Sequence, residues 1–144
     1  MRRIVSLVFV LVLAAGAYFY QSAGPETPPA APSYESVVPS GMLSPGQAAG
    51  LVKHYPEDRL AILDVRTPEE FAAGHAGKAV NIPVQELQER IAEVPQSPLL
   101  ILCRSGKRAE NAFNLLRDSG RNMAETWFLK GFTDYRDGIP SFHE

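Results

Sequence analysis

The chain has 144 residues, 45% of them hydrophobic, with 14 Lys and Arg against 16 Asp and Glu for a formal net charge of −2 at pH 7. That length holds one domain with appendages, and the near balance of charge excludes a protein that grips nucleic acid through a global basic surface. A single cysteine excludes an internal disulfide and leaves two options, a small buried hydrophobe or a reactive thiol.

At the N-terminus, Arg2 and Arg3 precede an uncharged apolar run from Ile4 to Tyr20, at the short end of the roughly 17–25 residues that span a bilayer. Ala15-Gly16-Ala17 offers a small-residue cleavage site for a secretory signal. Tyr18-Phe19-Tyr20 resembles instead the interfacial belt of a retained anchor. Residues 1–23 are therefore expected to be a signal peptide or membrane anchor. Both readings place the rest of the chain in the periplasm or cell envelope, touching the membrane only through this segment. Residues 24–41, with prolines at 25, 28, 29, 32 and 39, read as a semi-extended linker.

The folded domain is expected over 42–144. Ser44-Pro45-Gly46-Gln47 is a capping box with proline at the first helical position, opening a helix to about Lys53. The apolar run Leu60 to Val65 has strand length and the continuity of a strand covered on both faces. Thr67-Pro68-Glu69-Glu70 repeats the capping-box signal, with Gly74 available to end a short helix. Ala79 to Ile82 predicts a second strand, stopped by Pro83. Leu87, Ile91 and Val94 then stand at helical spacing before Pro95. Leu99 to Leu102 is a third strand, and Ala109, Ala112, Phe113 and Leu116 form the apolar stripe of a helix that Gly120 stops. Thr126 to Leu129 is the last predicted strand, followed by a polar tail. Strands alternating with helices predict an α/β domain: a small, mainly parallel sheet with helices on both faces. In such domains ligands bind beyond the carboxyl ends of the strands.

Cys103 lies at one of those ends, in the stretch ILCRSGKRAENA from Ile101 to Ala112. A loop between a buried strand and a helix N-terminus converges backbone N–H groups on one spot, where the helix dipole adds positive potential. Gly106 permits a sharp turn there. Arg104, Lys107 and Arg108 add full charges and Ser105 a hydroxyl. That field favours a thiolate at Cys103 and attracts an anionic substrate. The bland alternative, a packed cysteine beside solvated cations, leaves the charge cluster without a reason. A cysteine phosphatase loop carries one more residue between cysteine and arginine than the four found here. The shorter loop suits a smaller moiety, a single sulfur atom carried on the cysteine.

Two stretches resemble the single-domain rhodanese family of thiosulfate sulfurtransferases. LDVRTPEEFAAGHAGKAVNIP, Leu63 to Pro83, is similar to the family's Asp-x-Arg-x-Pro-x-Glu-[Phe/Tyr] stretch followed by Gly-His and Asn-Ile-Pro. CRSGKR, Cys103 to Arg108, has the Cys-x-x-Gly-x-Arg form of the active-site loop. The likeness covers about Leu43 to Phe142. Gly74-His75-Ala76-Gly77-Lys78 departs from the usual Gly-His-Ile-Pro-Gly, and Leu129-Lys130-Gly131-Phe132 has one glycine where the family commonly has two. The resemblance implies an envelope-targeted member with a rhodanese-like fold. It implies double displacement: Cys103 thiolate takes the outer sulfur of thiosulfate, releases sulfite, and passes the sulfur from its persulfide to cyanide, a thiol or a protein cysteine. It calls for no metal or organic cofactor. Backbone N–H groups from Arg104 to Arg108 would cradle the persulfide, Arg108 would fix the loop, and Arg104 and Lys107 would attract thiosulfate, with exchange of those roles left open.

Asp64 and Arg66 end a strand in the same layer as Cys103. They either order the cysteine loop or form a structural pair, and the second is the commoner use of such a pair. His75 reads as structural, while His54 and His143 fall in unrelated segments and make no metal set. Trp127 and Phe128 read as core, Phe132 as a residue for the pocket rim, and Glu69, Glu70, Glu86 and Glu89 as solvated helix faces. Three other functions compete: a non-catalytic persulfide relay fed by a partner protein, an arsenate reductase or phosphatase on a related fold, and a thiol redox protein. The short loop disfavours the second, and the lack of a resolving cysteine disfavours the third.

Overall fold

A computed structural model describes residues 38–144 apart from position 57. The expected signal or anchor over 1–23, and the expected linker up to position 37, lie outside the described residues.

Five parallel strands form one sheet in the order β1-β5-β4-β2-β3: β1 (Gly41–Leu43), β2 (Ala61–Asp64), β3 (Val80–Asn81), β4 (Leu99–Leu102) and β5 (Thr126–Leu129). β4 lies at the centre and is buried along its whole length, as its unbroken Leu-Leu-Ile-Leu requires. Its register sets Leu63 beside Ile101 and Asp64 beside Leu102. The same strand sets Leu100 beside Trp127 on its other side. The carboxyl ends of β2 and β4 are therefore neighbours.

Both predicted capping boxes are formed. Ser44 Oγ accepts from the Gln47 N–H at 3.4 Å while Gln47 Oε1 accepts from the Ser44 N–H at 3.0 Å, opening α1 (Pro45–His54). Thr67 and Glu70 do the same for α2 (Pro68–Ala72) at 3.3 and 3.1 Å. α3 (Lys107–Asp118) stops in a Schellman arrangement: the Gly120 N–H donates to Arg117 O and the Arg121 N–H to Leu116 O.

The sheet separates two cores. On one face Leu63, Val65, Ile82, Leu87, Leu99, Ile101 and the α3 residues Ala109, Ala112 and Leu116 pack together. On the other, Leu43, Leu100, Leu102, Trp127 and Leu129 meet Ala48 and Leu51 of α1. Each fully buried leucine contributes about 1.5–3 kcal/mol relative to leaving it exposed. The helices thus cover both faces as expected.

Three elements differ from the sequence expectations. The segment with Leu87, Ile91 and Val94 is a run of turns closed by a 3-10 helix at Ile91–Glu93. Pro83 and Pro95 leave too short a stretch for a regular helix, yet Leu87 and Val94 are still buried in the core. The polar tail is a hairpin, β6 (Phe132–Arg136) paired antiparallel with β7 (Ile139–His143). Asp137-Gly138 forms its two-residue turn with φ of 53° and 75°, the pattern of a type I′ turn. Finally, β1 adds an edge strand beginning one residue before the expected start of the domain. The Trp127 indole N–H also donates to the carbonyls of Val38 and Pro39.

Candidate active site

The central strand carries the chain into the site and the loop turns back over it. Cys103 follows β4 directly, and residues 103–106 lead into α3, whose N-cap is Gly106 at φ 88°. A side chain at that position has no room. A Cβ would stand 2.9 Å from Leu129 O and 3.0 Å from Lys130 Cα, so only glycine lets the loop lie this close to the end of β5. The Gly106 N–H donates to Cys103 Sγ at 3.1 Å. No side chain caps α3, leaving the first-turn N–H groups without intrahelical acceptors and the positive end of the dipole at the loop.

Cys103 is 1% exposed and packs with the α3-side core. The end of the buried central strand places this side chain against the α3 residues Ala109 and Ala112, with the Gly106 N–H of its own loop on the sulfur. Arg104, Ser105 and Lys107 are exposed.

Arg108 is half-buried and turns away from solvent to Glu70, with Nη1–Oε2 at 2.6 Å and Nη2–Oε1 at 2.9 Å. This two-pronged bond ties the cysteine loop to α2. The Arg108 hydrogen bonds hold the Glu70 carboxyl far below the usual carboxylate range, at about 2, against a burial effect in the other direction. Arg108 in turn is stabilised in its charged form by Glu70 first, and also by Cys103. The sequence reads Glu70 as part of a capping box and of a solvated helix face. The box is formed, but the carboxylate is partly buried as the partner of the loop arginine, 38 positions away, a pairing for which the sequence carries no local signal.

Asp64 and Arg66 are buried at 0% and 8% exposure. The guanidinium meets the carboxylate through Nε at 2.9 and 3.0 Å and Nη2 at 2.6 Å, and Nη2 also donates to Gly74 O at 2.7 Å. Tyr135 of β6 closes the group: its ring lies 4.4 Å beneath the Arg66 guanidinium, and its hydroxyl donates to Asp64 Oδ2 at 3.3 Å. Burial opposes the charge on Arg66, but the Asp64 hydrogen bonds and the neighbouring charges outweigh it and raise its pKa. Burial, followed by the Asp64 charge, pushes the Tyr135 phenol well above its ordinary range, with a further contribution from Cys103. The pair thus locks β2 to the segment after α2 and to β6. Tyr135 is a site neighbour that sequence reading missed, because the hairpin carrying it was read as tail.

A cleft of about 340 Å³ lies against this group, lined by Arg66, Glu70, Gly74, Arg104, Thr133 and Tyr135 among others. A second, more apolar cavity of about 440 Å³ lies among Val52, Tyr55, Ile62, Lys78 and Ile139, away from the thiol. Of the histidines, His75 stacks on Phe71 and bonds Phe71 O through Nδ1 at 2.9 Å, and His143 pairs with Asp134. Phe132 stacks on His143 and is not among the residues lining the cleft. Among the described residues no three His, Cys, Asp or Glu side chains gather to hold a metal ion.

Residues 47–143 match the family described as Rhodanese-like domain. The chain belongs to the rhodanese-like domain family. Among relatives, a thiosulfate sulfurtransferase of Escherichia coli is 35% identical over 66 residues, covering 44% of this chain and 64% of that protein. A human thiosulfate:glutathione sulfurtransferase is 34% identical over 84 residues, covering 48% and 73%. An HTH-type transcriptional regulator of Mycobacterium tuberculosis is 35% identical over 104 residues, covering 66% of this chain and 46% of that protein. The match thus spans about half the length of that regulator. In fold, the rhodanese-like domain protein of Staphylococcus aureus superposes with a TM-score of 0.56 at 19% identity, over 72% of this chain and 99% of its own. A rhodanese-related protein from Thermoplasma volcanium gives 0.52 at 23% identity, over 63% and 84%. The parallel sheet with helices on both faces is therefore the rhodanese-like architecture.

Proposed function

We propose that this rhodanese-like domain is a thiosulfate sulfurtransferase whose sulfur carrier is Cys103. The observation that carries the reading is the cysteine held at the end of the central strand, with Gly106 N–H on its sulfur and the positive end of α3 facing it. The sulfurtransferase relatives support the same chemistry. In the first step the Cys103 thiolate attacks the outer sulfur of thiosulfate. The S–S bond of the donor breaks, its electron pair leaves with sulfite, and a persulfide remains on Cys103. In the second step a thiolate or cyanide attacks the outer persulfide sulfur and the Cys103 thiolate is regenerated. The Gly106 N–H on the sulfur and the positive end of α3 stabilise the anionic persulfide. Arg104 and Lys107, both exposed, draw the dianionic donor toward the loop. Arg108 serves as a positioning residue through Glu70, and the Asp64–Arg66–Tyr135 group holds the neighbouring wall. Cys103 is 1% exposed in the resting chain, so this reading requires the loop to open for the donor sulfur to reach Sγ.

Steady-state release of sulfite from thiosulfate, with a small thiol as acceptor, tests the reading. Sustained turnover in the full chain and none in Cys103→Ser is expected. Sulfur loading from thiosulfate without turnover to any small acceptor would contradict it in favour of a persulfide relay.

A further inference from the structure

One polar side chain at the cleft has no counterpart in the network just described. Thr133 of β6 is 6% exposed, and its hydroxyl oxygen, closed off from solvent, makes no hydrogen bond among the described residues. Buried hydroxyls nearly always have a partner, so an orphan calls for a reason. Its position supplies one. The Thr133 N–H donates to Arg104 O at 3.3 Å, fastening the residue to the position next to Cys103. Thr133 also lines the same cleft as Arg66, Arg104 and Tyr135. The other charges of that lining are in ion pairs, Glu70 with Arg108, Arg66 with Asp64 and Asp134 with His143, which leaves Arg104 as the charge at the cleft with no ion pair among the described residues.

We propose that Thr133 is a binding residue for the sulfonate-type oxyanion of the sulfur donor, its hydroxyl donating to an oxygen of the group that departs as sulfite. The inference rests on the sulfurtransferase reading given above and names a part of that site which the cysteine loop does not supply. Arg104 is exposed, so its guanidinium turns onto the oxyanion from the solvent side, while rotation of the Thr133 side chain about χ1 brings its hydroxyl to the cleft that the residue lines. A fixed donor aimed at an oxyanion discriminates strongly against a donor lacking one, because the hydroxyl is then left buried and unpaired. Thr133 therefore selects donors whose sulfane sulfur is carried on a sulfonate over alkyl persulfides.

Two measurements on the full chain decide it. In the first, thiosulfate is titrated calorimetrically into Cys103→Ser, which binds without reacting, and into the same chain carrying Thr133→Val or Thr133→Ser. Valine keeps the shape and removes the hydroxyl; serine keeps the hydroxyl. The expected result is a roughly tenfold weaker Kd with valine and a change within about twofold with serine. In the second, with Cys103 restored, the ratio of kcat/KM for thiosulfate to that for glutathione persulfide is expected to fall roughly tenfold in Thr133→Val. Equal Kd values for the valine chain and its parent, no measurable thiosulfate binding to the parent, or equal losses with both donors would overturn the proposal. A wild type that binds thiosulfate but never forms a persulfide would defeat the proposed function alone, and the Kd comparison would still decide Thr133.

Discussion

Glu70 shows how much one carboxylate does at this site. It accepts from the backbone at the start of α2 and from both arms of the Arg108 guanidinium, so the first turn of one helix is clamped to the first turn of another. The hydrogen bonds from Arg108 lower its pKa from 4.5 to about 2 in the folded chain. A carboxylate depressed on folding contributes stability that is fully present above its unfolded pKa and is lost as pH falls through the folded value. The Glu70 contribution is therefore expected to fade between about pH 4.5 and about pH 2. Its side chain is 32% exposed, and solvent screening holds the contribution to about 1 kcal/mol. In Glu70→Gln, chemical denaturation at pH 7 should show about that loss, and the gap from wild type should close toward pH 2. The same substitution should lower sulfite release several-fold, since Arg108 then lacks the partner that sets the loop. A gap that stays constant down to pH 2 would contradict the account.

At the scale of the element, the loop and the helix that follow β4 form one device, and Gly106 is where they join. Its φ of 88° and the 2.9 Å that would separate an added Cβ from Leu129 O mean that the loop is pressed against the end of β5. Gly106→Ala adds backbone strain and a clash with main-chain atoms that cannot rotate away. The expected cost is about 2–4 kcal/mol, or a loop that has moved off Sγ and no longer turns over thiosulfate. Wild-type stability and turnover together in Gly106→Ala would refute the tight seat described for this loop. Much of this element was legible beforehand: the apolar run, the cysteine, the glycine and the helix stripe each carry a local signal. The hairpin was not recognised, although Asp137-Gly138 between two short runs is a type I′ turn signal. Pro140 and the charged residues around it masked the strand pattern, and Pro140 is tolerated because a two-stranded ribbon leaves its nitrogen free of a further neighbour.

Across the whole domain, what the sequence conceals is long-range pairing. The capping boxes and the apolar strands depend on residues within a few positions of one another, and they were read in place. Arg108 meeting Glu70, Tyr135 meeting Asp64 and Trp127 meeting the carbonyls of Val38 and Pro39 join residues 38, 71, 89 and 88 positions apart. The parallel order of the sheet, with the helices and the β6-β7 hairpin packed on it, brings them together. Burial of the thiol has the same origin, since β4 is covered on both sides by β2 and β5 and on its faces by two cores. The result is a division between the faces of the sheet. The α3 face holds Cys103 and its loop, and the α1 face supplies packing around Trp127.

The central claim is that Cys103 carries the transferred sulfur, and intact mass of the full chain tests it most directly. After thiosulfate, wild type should gain about 32 Da, the mass of one sulfur atom on the nucleophile. Cyanide should remove it with formation of thiocyanate, and Cys103→Ser should gain nothing. No adduct on a folded wild-type chain, or the same adduct on Cys103→Ser, would contradict the assignment.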